Sequence, residues 1–335
     1  MRMYKHEKVS IIRETGERVD AVAPIVISAS RSTDIPAFHL DWFFNRLKRG
    51  YCSWVNPFNQ KPSYVSFQNT RVVVFWSKNP VALIDRLKEL SSRNINCYIQ
   101  FTLNDYVAEG FEPNIPPLTQ RIDTFKRLVD ILGVGSVIWR YDPVILTDNL
   151  HIEDHLERIE KIGCGLQGYC EKLVFSFADI AGYRKVQYNL NQSGIKYVDF
   201  THESMTEFAD GLSRLNKSLG FEIATCGEQI DLCKFGIKKN RCVDPLLMAR
   251  LFKDDERLMS WLGYSDMFGA PESFPKDPGQ RSVCGCVLSK DIGAYNTCGH
   301  GCVYCYANVT PAYGKQGCVR AQSDTKRESV ISQVN

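Results

Sequence analysis

The chain has no long apolar run. Its strongest, Val72-Val73-Val74-Phe75-Trp76, is only of strand length, against the roughly 18 apolar residues of a membrane-spanning helix. It also has no excess of one charge. Lys and Arg total 41 against 38 Asp and Glu, a net charge of +3, so global charge points to no polyanionic partner and a nucleic-acid contact would need a local basic patch. The opening Met1-Arg-Met-Tyr-Lys-His-Glu-Lys lacks an apolar h-region, which sets the expectation of a cytoplasmic chain. No Gly-x-Gly-x-x-Gly follows any β-rich run, and that disfavours a dinucleotide-binding Rossmann domain.

What the chain does have is cysteine, thirteen in 335 residues. Cys52, Cys97, Cys164 and Cys170 are scattered through the first 225 residues. Cys226, Cys233, Cys242, Cys284, Cys286, Cys298, Cys302, Cys305 and Cys318 crowd the remainder. Clustered cysteines in a chain of this composition point to metal or redox chemistry rather than to a disulfide framework. Cys97, inside Cys97-Tyr-Ile-Gln-Phe, reads as a buried apolar thiol, and Cys233 reads the same way. The Gly-rich stretch Cys298-Gly-His-Gly-Cys302-Val-Tyr-Cys305 has too little apolar surface for that reading.

Residues 7–22 predict a hairpin turning at Thr15-Gly16. Short β-rich runs then alternate with helical periods, as in βα units with a parallel sheet. The runs are Ile25–Ser28, Val72–Trp76, Cys97–Leu103, Ser136–Tyr141, Lys172–Phe177 and Glu222–Cys226. The helices are expected over 39–49, 80–92, 118–132, 152–163 and 203–218, with Pro80 at the first position of the second. Residues 181–200 suggest a short helix and an extra strand at Ile195–Phe200. The fold class is thus α/β: a (β/α)6-type partial TIM barrel over 23–228, with an open doubly wound sheet as the alternative. After Glu228 the alternation stops. A Cys-rich segment over 229–314 follows, with one helix at Pro245–Phe252, a Pro- and Gly-rich loop at Gly269–Gln280, and little apolar periodicity. A loose polar tail is expected over 315–335.

Each predicted strand ends in polar groups. They are Ser30-Arg31-Ser32-Thr33-Asp34, Ser77-Lys78-Asn79, Asn104-Asp105, Arg140-Tyr141-Asp142, Ser176-Phe-Ala-Asp179 and Cys226-Gly-Glu228. In a parallel sheet these ends share one face, where catalytic groups collect. Arg31, Asp34, Asn79, Asp179 and Tyr304 are candidate cofactor contacts, and Lys78, Arg140, Asp142 and Glu228 candidate catalytic groups. Arg and Lys suit carboxylate or phosphate, and the acids suit hydroxyl or amino groups. Helix caps and an Arg140–Asp142 or Arg31–Asp34 structural pair are the competing readings. Tyr141 and Tyr304 are candidates to stack on a base or are simply buried. The basic stretches Arg46-Leu-Lys48-Arg49 and Lys238-Lys-Asn-Arg241 read either as phosphate contacts or as solvated faces.

Cys298, Cys302 and Cys305 have the number and spacing to hold a [4Fe–4S] cluster with one iron left open. Zinc, with His300 or Cys318 as a fourth ligand, is the alternative. Gly299 and Gly301 let the backbone wrap closely. Cys226, Cys242, Cys284 and Cys286 form a candidate second site, a further cluster or a zinc ion, with packed thiols as the competing reading.

Cys298-x3-Cys302-x-Tyr304-Cys305 resembles the cluster motif of radical S-adenosylmethionine (SAM) enzymes. Its extension, Cys302-Val-Tyr-Cys305-Tyr306-Ala-Asn308, is similar to the subgroup that includes spore photoproduct lyase. The chain as a whole resembles the bacterial family of domain of unknown function 1848. The carrying residues are Ile27-Ser-Ala-Ser-Arg-Ser-Thr-Asp-Ile-Pro, Phe75-Trp-Ser-Lys-Asn-Pro, Trp139-Arg-Tyr-Asp-Pro and Cys284-Gly-Cys. The radical SAM resemblance implies that Cys298, Cys302 and Cys305 each ligate one iron, that SAM chelates the open iron, and that a ferredoxin or flavodoxin supplies the electron. The photoproduct-lyase likeness implies a nucleobase substrate. A zinc- or cluster-stabilised binding protein without radical chemistry, nucleic-acid associated, is the alternative. In radical SAM enzymes the cysteine loop follows the first strand and a Gly-Gly-Glu element follows the second. Here those places hold Ser30-Arg31-Ser32 and Ser77-Lys78-Asn79, so the loop has to fold back from the C-terminal side.

Overall fold

The structure, a computed structural model, describes residues 5–331 apart from 266–268, 270, 272, 275 and 282. Its frame is an eight-stranded, all-parallel sheet: β1 Val26–Ala29, β2 Val72–Ser77, β3 Asn96–Thr102, β4 Val137–Val144, β5 Lys172–Phe177, β6 Glu222–Thr225, β7 Lys238–Lys239 and β8 Lys290–Asp291. The spatial order is β7-β6-β5-β4-β3-β2-β1-β8. The six long-range runs read from the sequence are all present. Two strands were not legible there. Lys238–Lys239 and Lys290–Asp291 have two residues each and carry no apolar pattern, so only their pairing to β6 and β1 reveals them.

The order runs in one direction from β1 to β7, with no point at which it reverses. The last strand, β8, then returns to the free edge of β1. The edges β7 and β8 approach one another just beyond their ends, where the Val287 amide donates to the Val243 carbonyl at 3.1 Å.

The strand pleat sends alternate residues to opposite faces. Ile27, Val73, Phe75, Ile99, Phe101 and Trp139 pack with the helices on one side. Val26, Val72, Val74 and Tyr98 meet Val243, Met248, Leu258, Leu262 and Val287 on the other. The Cys-rich segment therefore has apolar packing of its own, from two short helices, Pro245–Leu251 and Glu256–Leu262. The expectation of little apolar character there is corrected. The Gly269–Gln280 loop falls partly outside the described residues.

Helices follow the strands as expected, with local differences. The first is split into Ile35–Phe38 and Leu40–Arg49, and the second into a 3-10 turn, Val81–Arg86, and Leu87–Ser91, with Pro80 as its N-cap. Leu83, Leu87 and Leu90 are nevertheless buried as one stripe. Later helices span Leu118–Leu132, Ile152–Leu166, Arg184–Gln192 and His202–Leu219. The extra strand is two residues, Tyr197–Val198, antiparallel to Leu146–Thr147. The N-terminal hairpin forms between Glu7–Ile12 and Arg18–Ala23, but as part of a four-stranded sheet with Tyr51–Val55 and Pro62–Ser66.

The polar tail is not loose over its described part. Pro311–Gln322 is a helix, the Ser53 amide donates to the Glu328 carbonyl at 2.7 Å, and Trp42 Nε1 donates to the Arg327 carbonyl at 2.9 Å. Val330 is buried. Among the described residues no helix is long and apolar enough to cross a membrane.

Candidate functional site

Parallel strands bring the polar strand ends to one rim, and the loop 298–305 lies across it. Gly301 adopts φ +73°, a conformation glycine reaches without a Cβ penalty, and a Cβ there would stand 3.0 Å from Asn114 Nδ2. The Asn114 amide donates to the His300 carbonyl at 3.2 Å and its side chain to Gly299 at 3.1 Å. The Val303 amide donates to Phe111 at 3.1 Å. The loop is thus hydrogen-bonded along the segment that follows β3. Farther along the same rim the Tyr306 hydroxyl donates to the Arg31 carbonyl at 2.6 Å.

Both ring nitrogens of His300 have protein neighbours. Its Nε2 stands 2.7 Å from Asp34 Oδ2 and its Nδ1 3.4 Å from the Asn114 carbonyl oxygen. Asp34 also accepts from the Lys78 amide at 2.8 Å and caps the Ala37 amide at 3.0 Å. Burial works to raise the Asp34 carboxyl, but His300 and the Lys78 amide outweigh it and hold it below the ordinary range. Cys318 packs against Gly299 from the helix Pro311–Gln322.

Beneath the loop lies a buried polar hub. Lys78 Nζ is 2.7 Å from Glu112 Oε1 and donates to the Tyr304 hydroxyl at 3.0 Å, and that hydroxyl donates to Glu112. Burial alone would lower the Lys78 ammonium and raise the Glu112 carboxyl. Each instead shifts toward its charged form because the other stands beside it. Asn104 Nδ2 reaches Glu112 at 3.3 Å and the Asp142 carbonyl at 3.1 Å, while the Asp142 amide donates to Asn104 Oδ1 at 2.9 Å. Asn104 so connects this hub to a second one. There Arg140 Nε donates to Asp142 Oδ2 at 3.0 Å, Ser176 Oγ donates to Asp142, and Arg140 Nη1 donates to Cys242 Sγ at 3.1 Å.

The other candidate residues take several positions. Arg31 stacks on Trp76 at 5.1 Å, and its Nη2 is buried with no hydrogen-bond partner. Arg31 does not pair with Asp34; Asp291 of β8 instead accepts from the Arg31 amide at 2.8 Å and from Ser28 Oγ at 2.6 Å. Asn79 is half-buried, and its amide donates to Ser77 Oγ at 2.9 Å. Glu228 accepts from the Phe177 amide at 2.9 Å, and burial, with Asp142 adding like charge, raises its carboxyl. Asp179 is exposed and caps a turn at Gly182. Tyr141 turns away from the rim into the core, its hydroxyl 2.8 Å from His155 Nδ1. Arg46 is buried against Glu14, 3.1 Å away, so that basic stretch is not a free phosphate contact. Lys238 and Lys239 are exposed.

Glu112 and Asp291 are the residues that sequence reasoning missed as site components, while Asn104 was read at a strand end but given no role. Glu112 sits in a Pro-rich connection with no motif around it, and only the fold puts it under Tyr304.

Burial pushes the thiols of Cys298, Cys302 and Cys305 up; Cys305 and Cys302 raise Cys298 further, and Cys305 raises Cys302. Lys78 opposes this at Cys302 and Cys305. Neutral thiols are therefore the resting form, and a bound cation is what converts them to thiolate ligands. Cys226, Cys242, Cys284 and Cys286 are strung together. Cys226 and Cys242 are 3.3 Å apart sulfur to sulfur, and the Cys286 sulfur, within electrostatic reach of Cys284, accepts the Val243 amide at 3.3 Å. Hydrogen bonding from Cys286 lowers the Cys284 thiol to about 7. Cys233 is exposed, contrary to the core position expected. Among the described residues, no three His, Cys, Asp or Glu side chains converge, as placed, in an arrangement that could hold a metal ion.

The three-cysteine loop fits a [4Fe–4S] cluster in its donor chemistry: three buried or half-buried thiols on a glycine loop, with His300 paired to Asp34. No curated protein matches the chain. Residues 26–307 match the family described as Domain of unknown function (DUF1848), and the chain belongs to that family.

Proposed function

We propose that the protein is a radical SAM-like enzyme whose Cys298, Cys302 and Cys305 hold a [4Fe–4S] cluster with SAM as the cofactor. The observation that supports it is the placement of this loop over the C-terminal rim of a parallel sheet in sequential order, the rim at which βα folds carry their chemistry. The sequential order and the Val287–Val243 contact between the edges also favour a barrel, with β7 and β8 at its seam. When bound and reduced by a ferredoxin- or flavodoxin-type partner, the cluster would supply the electron that cleaves the SAM sulfonium.

The chain's own residues would do the rest. Asp34 and His300 fix the loop to β1. Lys78 offsets the negative charge that Cys302 and Cys305 acquire as thiolates, and Glu112 with Tyr304 holds the Lys78 ammonium in place. Helix Pro311–Gln322 packs behind Gly299 and excludes water from that side. Asn79 and Glu228 are half-buried at the rim, positions from which they can orient a ligand. The substrate is proposed to be a nucleobase only on the photoproduct-lyase likeness.

The test is anaerobic purification with iron and sulfide analysis, followed by dithionite and SAM. Iron-bearing protein that releases 5′-deoxyadenosine supports the reading, and Cys302→Ala should lose the iron and keep the far-UV spectrum of the sheet. A colourless protein, or a reduced cluster-bearing protein that yields no 5′-deoxyadenosine, rejects it in favour of a metal-stabilised binding protein.

A further inference from the structure

Three donors converge on the sulfur of Cys242. Arg140 Nη1 donates at 3.1 Å, Asn240 Nδ2 at 3.3 Å, and the Cys226 thiol lies 3.3 Å away. The sulfur of Cys286 accepts the Val243 amide at 3.3 Å. A neutral thiol is a weak acceptor, and N–H donors aimed at cysteine sulfur are what surrounds metal-bound thiolates. The Cys242 backbone is itself pinned, since its carbonyl accepts from Tyr98 at 2.7 Å and from Gln100 at 3.0 Å.

Charge points the same way. Arg140 is buried, and Asp142 answers only its Nε and Nη2 side. Arg31 lies within electrostatic reach of Cys286 and Cys242 and has a buried Nη2 without a partner. Two guanidinium groups therefore stand beside the four sulfurs, with Asp142 and Asp291 as their carboxylate neighbours. A divalent ion bound by four thiolates carries a net charge of −2, which these guanidinium groups would help to offset.

The spacing of the one sulfur pair in contact favours a single ion. Tetrahedral ligation at a metal–sulfur distance of about 2.3 Å puts neighbouring sulfurs about 3.8 Å apart. The 3.3 Å Cys226–Cys242 contact is close to that edge, whereas an iron–sulfur cube holds its thiolates on separate irons and farther apart. Packed thiols alone would account for Cys242 and Cys286 being buried in the second core, but not for the converging N–H donors.

We propose that Cys226, Cys242, Cys284 and Cys286 bind one Zn2+ ion that staples the seam of the sheet. Cys226 ends β6, Cys242 follows β7, and Cys284 and Cys286 precede β8. The ion therefore ties together the two edges that otherwise meet through Val287 and Val243. Ligation releases the thiol protons to solvent and turns the sulfurs, which do not converge as they stand, toward one centre. The site is separate from the 298–305 loop and does not depend on the radical SAM reading.

X-ray absorption at the zinc edge of the wild-type, full-length protein tests this without any variant. The expected result is about one zinc per chain with four sulfur neighbours at about 2.3 Å. Cys242→Ser and Cys286→Ser should lose the zinc and keep the iron of the loop, whereas Cys302→Ala should keep the zinc. Nitrogen or oxygen ligands, zinc that persists in Cys242→Ser, or wild-type protein without zinc whose extra iron disappears in Cys242→Ser would each overturn the proposal.

Discussion

His300 Nε2 stands 2.7 Å from Asp34 Oδ2, and neither side chain is more than 6% exposed. This contact joins the middle of the cysteine loop to the end of β1, across 266 residues of sequence. The other ring nitrogen, Nδ1, lies 3.4 Å from the Asn114 carbonyl oxygen, so both sides of the imidazole help to hold the loop in place.

Asp34→Ala removes the acceptor for His300, for the Lys78 amide and for the Ala37 amide together. Leaving buried donors unpaired costs about 1–3 kcal/mol each, with partial compensation by water. A loss of about 3 kcal/mol in urea unfolding is expected. An unchanged midpoint would show that the loop is anchored elsewhere.

Glu112→Gln leaves the Lys78 ammonium buried without its counter-charge. Breaking a buried pair from one side costs about 3–5 kcal/mol, and retention of one hydrogen bond puts the expected loss near the lower figure. Lys78→Met in the Glu112→Leu background should recover part of it. A double-mutant cycle reads the coupling, which should exceed about 1 kcal/mol. Additive single losses would contradict the described hub.

His155 accepts from the Tyr141 hydroxyl and donates to the Ile145 carbonyl, each at 2.8 Å, in the fully buried core. Burial lowers its pKa from 6.5 to about 4. Between those values the unfolded chain binds a proton that the folded chain does not. This contribution is therefore fully present above about pH 6.5 and is lost as pH falls toward about 4, by roughly 3 kcal/mol in all. Urea titrations at about pH 7 and about pH 5 should show about 2 kcal/mol of that loss in the wild type and a smaller one in His155→Gln. Equal pH dependence in both would rule His155 out as the source.

Gly317 lies in the helix Pro311–Gln322, and a Cβ there would stand 1.8 Å from the Asn296 carbonyl oxygen. Backbone cannot yield as a flexible side chain does, so Gly317→Ala should force the helix off the loop at a cost of about 2–3 kcal/mol. Faster proteolysis within residues 311–331 is the matching readout. An undisturbed digestion pattern would mean that the helix tolerates a shift.

Much of the sheet was legible because its long strands are apolar and its helices periodic. Val72–Ser77 carries five apolar residues in a row, and the Leu83, Leu87 and Leu90 stripe is buried even though the helix around it is broken. The hairpin strand Pro62–Ser66 and the two-residue strands β7 and β8 escaped, since short polar segments have no period to read. Among the site residues, the strand-end position of Lys78, Arg140 and Asp142 was visible, but their partners were not. Glu112 and Asn104 lie in connections whose geometry is set by contacts distant in sequence.

The sequence by itself determined the cysteine loop, its glycine hinge and the order of the βα units, because local chemistry and periodicity encode each of them. Tertiary structure alone decided which cysteines are neighbours. Cys226 and Cys242 meet at 3.3 Å because β6 and β7 are adjacent and parallel, and Cys286 comes beside them where its sulfur accepts the Val243 amide at 3.3 Å. It also decided that Asp34, Lys78 and His300 hold the loop in place. Long-range strand pairing sets those distances, and no local pattern in the chain records it.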